Sequence, residues 1–182
     1  MRNLIIVLAL FATSCITINA PDIYNGYNKL TKKEKKQVAF LDEESRIVNL
    51  NNEGQVVAIN GIQLQEYATE IDSLLIYIWA PNCTGKGCVL ISSCQDYCNS
   101  KGYKLAVVAE YYDMQVMNIQ NVADIPILVA NHNYYNKYFA RSNNKRLIED
   151  LLVETTQKFE IKDGRYLLLS RGELVRQVRF LD

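Results

Sequence analysis

The chain has 182 residues, in which 20 lysine and arginine residues balance 20 aspartate and glutamate residues. A formal net charge of zero provides no strong field to attract nucleic acid, so we expect no nucleic-acid partner. Hydrophobic residues make up 49% of the chain, which is enough to bury the core of one ordinary domain.

The first twenty residues, MRNLIIVLALFATSCITINA, have the layout of an export signal. Arg2 gives a positive start, a short apolar core follows, and small residues precede Cys15; the segment is too short to span a membrane comfortably. It resembles a bacterial lipoprotein signal, which implies that residues 1–14 are removed and that Cys15 carries the lipid. Ordinary secretion with cleavage after Ala20 is the alternative. Both place the mature chain in an oxidising compartment, where disulfides persist.

Residues 15–45 are predicted to form a lipidated tether, and residues 46–182 a single folded domain. The lysine run of residues 32–36 fits a solvated tether; a surface helix that could touch anionic lipid is the alternative.

Apolar patches at residues 47–50 and 55–59, separated by Asn51-Asn52-Glu53-Gly54, predict a β-hairpin at the start of the domain. Beyond it, strand patterns alternate with helix patterns. Strands are predicted over residues 74–79, 104–109 and 125–130, helices over 63–71, 88–101, 114–120 and 145–158, and a closing hairpin over 166–181. Such alternation indicates an α/β fold with parallel central strands.

Four of the five cysteines follow the first buried strand: Cys83, Cys88, Cys94 and Cys98. We expect Cys83 to project from the end of that strand at the head of the next helix. The free N–H groups and positive dipole of a helix start favour thiolate over thiol, and Lys86 would add to this effect.

Three features in this order resemble the thioredoxin fold, in particular the membrane-tethered thiol–disulfide oxidoreductases and peroxiredoxin-like proteins. They are Trp79-Ala80-Pro81-Asn82-Cys83 after a buried strand, a helix followed by KLAVVA, and the terminal hairpin with Gly164 before it. The resemblance covers roughly residues 55–182, a length typical of one domain. It implies an α/β, thioredoxin-like three-layer fold with a central mixed sheet, flanking helices and a C-terminal β-hairpin.

The resemblance also implies a function. The protein would exchange thiols and disulfides with exported or envelope proteins, without a cofactor, while facing the periplasm or exterior on its lipid anchor. Cys83 would be the nucleophile and Cys88 the resolving cysteine, and Trp79 and Pro81 would shape the surface beside them. Gly164 would belong to the same surface.

Two features depart from the family pattern. Lys86 stands where the second cysteine of a Cys-x-x-Cys motif belongs, and Cys88 lies two residues further on. The proline that the family places in cis before the last hairpin is replaced by Gly164 or Arg165. These departures favour a second class of function, a redox-inactive thioredoxin-fold module that binds a partner and contains structural disulfides.

The pairing of the cysteines stays open at this level, because four cysteines allow three pairings. A bridge between Cys83 and Cys88 is feasible, and Gly85 and Gly87 within the loop make the required bend easier, because Gly accepts positive φ angles. Cys94 and Cys98 are spaced i, i+4, which fits a mutual disulfide poorly, so we expect each to bond elsewhere or to pack as a small hydrophobic residue. No paired CxxC spacing indicates a zinc site. The only histidine, His132, is expected in a surface loop.

Overall fold

The computed structural model describes residues 24–42, 44–47, 56–85, 88–120, 125–136, 139–153 and 164–181. The predicted signal segment, Cys15 and Lys86 lie outside these ranges. Among the described helices, none has both the length and the apolar character needed to cross a bilayer.

Seven strands and six α-helices are described. The strands are β1 (Val38–Phe40), β2 (Val56–Ile59), β3 (Leu74–Trp79), β4 (Lys104–Ala109), β5 (Ile127–Ala130), β6 (Tyr166–Ser170) and β7 (Glu173–Val178). The helices are α1 (Lys32–Lys35), α2 (Gly61–Thr69), α3 (Ile91–Lys101), α4 (Met114–Gln120), α5 (His132–Tyr135) and α6 (Ala140–Leu151), and a 3₁₀ turn precedes them at Tyr27–Lys29.

The strands form one mixed sheet in the order β1-β2-β5-β4-β3-β6-β7. The first five strands in this order are parallel to one another. Strand β6 is antiparallel to β3, and β7 is antiparallel to β6. This is the predicted α/β class, a mixed sheet with flanking helices and a C-terminal hairpin in a thioredoxin-like layout. The strand predicted over residues 125–130 is confirmed as β5, and Pro126 precedes it, where its missing N–H costs no ladder hydrogen bond.

Two apolar cores lie on opposite faces of the sheet and make the fold three-layered. On one face, α2 and α6 pack against alternate residues of β3, Ile76 and Ile78. On the other, α3 and α4 pack against Leu75, Tyr77 and Trp79. All six residues of β3 are buried, as expected for a central strand covered on both faces.

The closing hairpin is confirmed, and its turn explains its register. Arg171 and Gly172 have positive φ angles of 47° and 85°. Two consecutive left-handed residues form the two-residue turn whose twist matches antiparallel strands, and Gly takes such angles without steric cost.

The β-hairpin predicted for residues 47–59 is wrong, because its second strand, β2, has no antiparallel neighbour. One edge of β2 pairs with β1 and the other with β5, both in parallel, so no edge is left for an antiparallel neighbour. Residues 48–55 lie outside the described part of the chain. The four residues of β2 are all buried, which is typical of a central parallel strand rather than a hairpin arm.

The predicted tether is folded over its described part. Strand β1 joins the sheet, and the ring of Tyr27 packs against those of Phe40 and Tyr112 at 5.5 and 5.3 Å between centroids. Helix α1 begins with a capping box between Thr31 and Glu34. The surface-helix alternative therefore describes this stretch, and the folded unit begins before residue 46.

Gly164 has a packing role that the sequence did not indicate. Its φ is 155°, and a Cβ atom here would collide with the carbonyl group of Val178. Gly102, which ends α3 at a φ of 71°, has nothing within 4 Å of the corresponding position. Both glycines have a positive φ angle that residues with a side chain rarely adopt, but only Gly164 also lacks space for a Cβ atom.

We therefore expect Gly164→Ala to lower the free energy of unfolding by roughly 3 kcal/mol, since strain and overlap add. Gly102→Ala is the matched control and should cost about 1 kcal/mol, from the backbone angle alone. Urea denaturation of both variants measures the difference. An equal decrease in the free energy of unfolding for the two variants would show that the backbone around Val178 can move to accommodate the Cβ atom.

Candidate functional site: an exposed disulfide after strand β3

The site begins where β3 leaves the core. Trp79 is only 4% exposed and Pro81 is also buried, whereas Cys83 is exposed. The N–H of Cys83 donates to the carbonyl of Ala80 at 3.1 Å, closing a four-residue turn with Pro81 at its second position, where its fixed φ is favourable. The turn carries the chain abruptly from the core to the surface.

Cys83 forms a disulfide with Cys88, with 5.6 Å between the two Cα atoms. This separation lies within the usual range for disulfides. Among the pairings that the sequence left open, the structure selects this one. Cys88 is half-buried whereas Cys83 is exposed, so the two residues of the bridge differ in their access to solvent.

Reciprocal hydrogen bonds hold the disulfide loop at its far end. The N–H of Gly85 donates to Sγ of Cys88 at 3.0 Å, and the N–H of Cys88 donates to the carbonyl of Gly85 at 3.0 Å. These two hydrogen bonds fix Gly85 relative to Cys88 independently of the disulfide bond.

Asn82 ties the first side of the loop to the end of β4 and the start of α4. Its N–H donates to the hydroxyl of Tyr111 at 3.1 Å, and its Nδ2 donates to Oδ2 of Asp113 at 2.7 Å. Oδ1 of Asp113 accepts from the N–H of Val116 at 3.2 Å. One carboxylate therefore serves both the helix start and the loop.

Tyr77 holds the second side. Its hydroxyl donates to the carbonyl of Val89 at 2.9 Å, and its ring stacks on that of Tyr166 with 4.7 Å between centroids. Burial raises the pKa of Tyr77, so the hydroxyl remains a hydrogen-bond donor at neutral pH. The bond keeps the residue next to Cys88 attached to the core.

The prediction that Cys83 heads a helix is wrong. Helix α3 begins at Ile91 rather than at Cys88, with Leu90 as its N-cap residue. The segment before it is extended because Tyr77 binds the backbone of Val89. Cys83 therefore lies before an extended segment rather than at the first residue of the helix.

Cys94 and Cys98 are free and fully buried on α3. They belong to the same apolar core as Tyr77 and Trp79. A hydrogen bond to Cys98 and burial raise the pKa of the Cys94 thiol. The expectation that each bonds to another cysteine is wrong, and the alternative of buried cysteines acting as small hydrophobic residues is confirmed.

Arg165 occupies the place where the resemblance implies a cis-proline. Its Nη1 donates to the carbonyl of Ile78 at 3.2 Å and to Oε1 of Glu110 at 3.0 Å, and its own carbonyl accepts the N–H of Ile78 at 2.8 Å. No peptide bond in the described ranges is cis. A half-buried ion pair thus lies at the ends of β3 and β4, which the sequence did not indicate.

His132 is not a partner of the disulfide. It begins α5 and is half-buried among the rings of Tyr27, Phe40 and Tyr112, at centroid distances of 4.4, 5.5 and 5.8 Å. The prediction of a surface-loop histidine is wrong, because residues 24–40 cover it. Within the described ranges, no group of three or more histidine, cysteine, aspartate or glutamate residues could hold a metal ion.

No protein-family model matches the chain, and no curated protein or solved structure matches it either. The inference of function therefore rests on the geometry of the disulfide and its surroundings.

The environment of His132 predicts a pH dependence of stability. Burial, followed by the charge of Lys35, lowers the pKa of His132 in the folded protein. As pH falls below about 6.5, the unfolded chain takes up this proton before the folded one does, so the free energy of unfolding should decrease.

Urea denaturation at pH 7.5 and 5.5 measures this decrease. Because His132 is the only histidine of the chain, His132→Gln should reduce the difference between the two pH values. A wild type whose stability is unchanged or higher at pH 5.5 would contradict the assignment.

Proposed function

We propose that this protein exchanges thiols and disulfides with exported or envelope proteins through Cys83 and Cys88. The observation that carries the proposal is an exposed cysteine in a disulfide whose flanking residues are hydrogen-bonded to the core. Cys83 is exposed, while Asn82 and Val89 are held by Tyr111 and Tyr77. A reactive disulfide needs this combination of access for an incoming thiolate and a loop that brings the sulfurs back together.

The supporting chemistry requires no metal or organic cofactor. A thiolate attacks one sulfur, the S–S bond breaks, and the second sulfur leaves as a thiolate. Cys94 and Cys98 take no part in this scheme, because both are buried and an incoming thiolate cannot reach a buried sulfur.

We further propose that a lipid on Cys15 anchors the protein in the cell envelope. The support is the sequence of the first fifteen residues, together with a disulfide, which persists in oxidising compartments. Mass spectrometry of the mature protein should find an amino-terminal peptide that begins at a lipid-modified Cys15; an unmodified chain beginning at Pro21 would contradict this part.

The second candidate is a redox-inactive thioredoxin-fold binding module with a structural disulfide. The observation that favours it is Arg165, whose ion pair with Glu110 stands where the resemblance implies the cis-proline. The five-residue separation of the bridged cysteines also departs from the spacing of the catalytic motif.

The two candidates differ in the reduction potential of the disulfide. The proposal expects a potential above about −300 mV, whereas a structural bridge lies below that value. Equilibration in glutathione buffers, followed by alkylation and mass analysis, measures the potential.

Exchange with a short dithiol peptide provides the matching kinetic test. The oxidised wild type should convert the peptide to its disulfide form, one peptide for each protein. Cys83→Ser and Cys88→Ser should abolish this conversion, whereas Ser93→Ala, an exposed change on α3, should leave it unchanged. A wild type that converts no peptide would favour the binding module.

A further inference from the structure

The two sulfur atoms of the disulfide have different hydrogen-bond environments. Sγ of Cys88 accepts the N–H of Gly85 at 3.0 Å. In the described part of the chain, no group donates a hydrogen bond to Sγ of Cys83. The N–H of Cys83 itself donates to the carbonyl of Ala80. Cys83 is exposed and Cys88 is half-buried, so the more exposed cysteine is the one whose sulfur has no described donor.

The Gly85 donor should stay in place when the disulfide opens. The N–H of Cys88 donates to the carbonyl of Gly85, and Tyr77 holds the neighbouring Val89. Neither bond involves a sulfur atom. On reduction, the N–H of Gly85 would therefore face a charged acceptor instead of a neutral one, and hydrogen bonds to ionised acceptors are about twice as strong.

We propose that the amide of Gly85 makes Cys88, and not Cys83, the preferred thiolate of the reduced site, and that this sets the protein up to oxidise dithiol substrates. The inference rests on the proposed function and specifies its direction and substrate class. It reverses the order expected from the sequence, in which a helix start at Cys83 would make Cys83 the stabilised thiolate.

The first step follows from access and leaving ability. A substrate thiolate attacks Sγ of Cys83, a bond forms between these sulfurs, and the bond from Cys83 to Cys88 breaks. The electron pair passes to Sγ of Cys88, where the N–H of Gly85 stabilises it. A thiol of lower pKa leaves faster, so the hydrogen bond accelerates this step.

The second step needs another thiolate on the same substrate. It attacks the substrate's own sulfur in the mixed disulfide, closes the substrate disulfide and releases Cys83, which takes up a proton. The substrate has lost two electrons and the protein has gained them. Because stabilising the reduced form raises the potential of a disulfide, the substrate class is exported chains with a pair of reduced cysteines.

The test measures the thiolate of each cysteine separately. The reduced full chain is pulsed with iodoacetamide at a series of pH values, unfolded, blocked with a second reagent and digested with trypsin. Cleavage after Lys86 places Cys83 and Cys88 in different peptides, and fragmentation separates Cys88 from Cys94 and Cys98. We expect the midpoint for Cys88 to lie about one pH unit below that for Cys83, a shift typical of a hydrogen bond to a charged group.

A pair of substitutions at residue 85 tests the donor itself. Gly85→Pro removes the N–H, whereas Gly85→Ala keeps it and places a Cβ at 3.8 Å from Sγ of Cys88, an ordinary contact. The proline variant should raise the midpoint of Cys88 by about one pH unit and, in glutathione buffer at a pH above both midpoints, favour the disulfide about tenfold. The alanine variant should match the wild type in both measurements.

Two results would overturn the inference: a lower midpoint for Cys83 than for Cys88 in the wild type, or equal midpoints for the two variants at residue 85. The wild-type measurement decides the thiolate order even if the proline variant folds poorly. The alkylation measurement needs no substrate, so it tests the thiolate order independently of the proposed function. If Cys88 has the lower midpoint but the protein does not oxidise the dithiol peptide, the result would count against the proposed function alone.

Discussion

The burial of β3 on both faces is the constraint on which the rest of the structure depends. Its six residues are 0 to 4% exposed, with β4 parallel on one side and β6 antiparallel on the other. Burying so many large side chains is worth roughly 1.5 to 3 kcal/mol for each one, so the strand cannot shift without loss on both faces. Its end at Trp79 therefore defines where the chain turns to the surface.

The two pairs of cysteines show how position relative to this strand decides chemistry. Cys83 and Cys88 flank an exposed loop just after β3. Cys94 and Cys98 lie on successive turns of α3, whose face toward the sheet is packed against Tyr77 and Trp79. The same side chain is thus a redox candidate in the loop and a packing residue in the helix, because solvent access controls thiol reactivity.

The surroundings of the loop differ from the thioredoxin pattern in a connected way. Helix α3 starts at Ile91, three residues after Cys88, and the amide of Gly85 supplies a local donor to Cys88. At the opposite side, Arg165 and Glu110 form the ion pair where the cis-proline would lie.

Much of the fold could be predicted because periodicity and turn chemistry are local. Strands β3 and β4, helix α4 and the closing hairpin agree with the predicted ranges, since continuous apolar runs and a Gly-containing turn depend little on distant residues. The hairpin predicted to include β2 was wrong for the opposite reason. The pairing of a short apolar strand depends on which strands lie beside it in the sheet, and these are distant in sequence. The late start of α3 depends on a hydroxyl group twelve residues earlier, at Tyr77, which no local pattern reveals.

The sequence by itself determined the α/β class and the buried strand that ends at Trp79, because both follow from the pattern of apolar side chains along the chain. It also showed directly that the cysteines cluster just after this strand. Only the tertiary structure decided that Cys83 pairs with Cys88, that Cys94 and Cys98 stay free, that residues 24–40 cover His132 and that Gly164 is needed for space against Val178. Each of these depends on distances between residues that only the packed sheet and helices bring together.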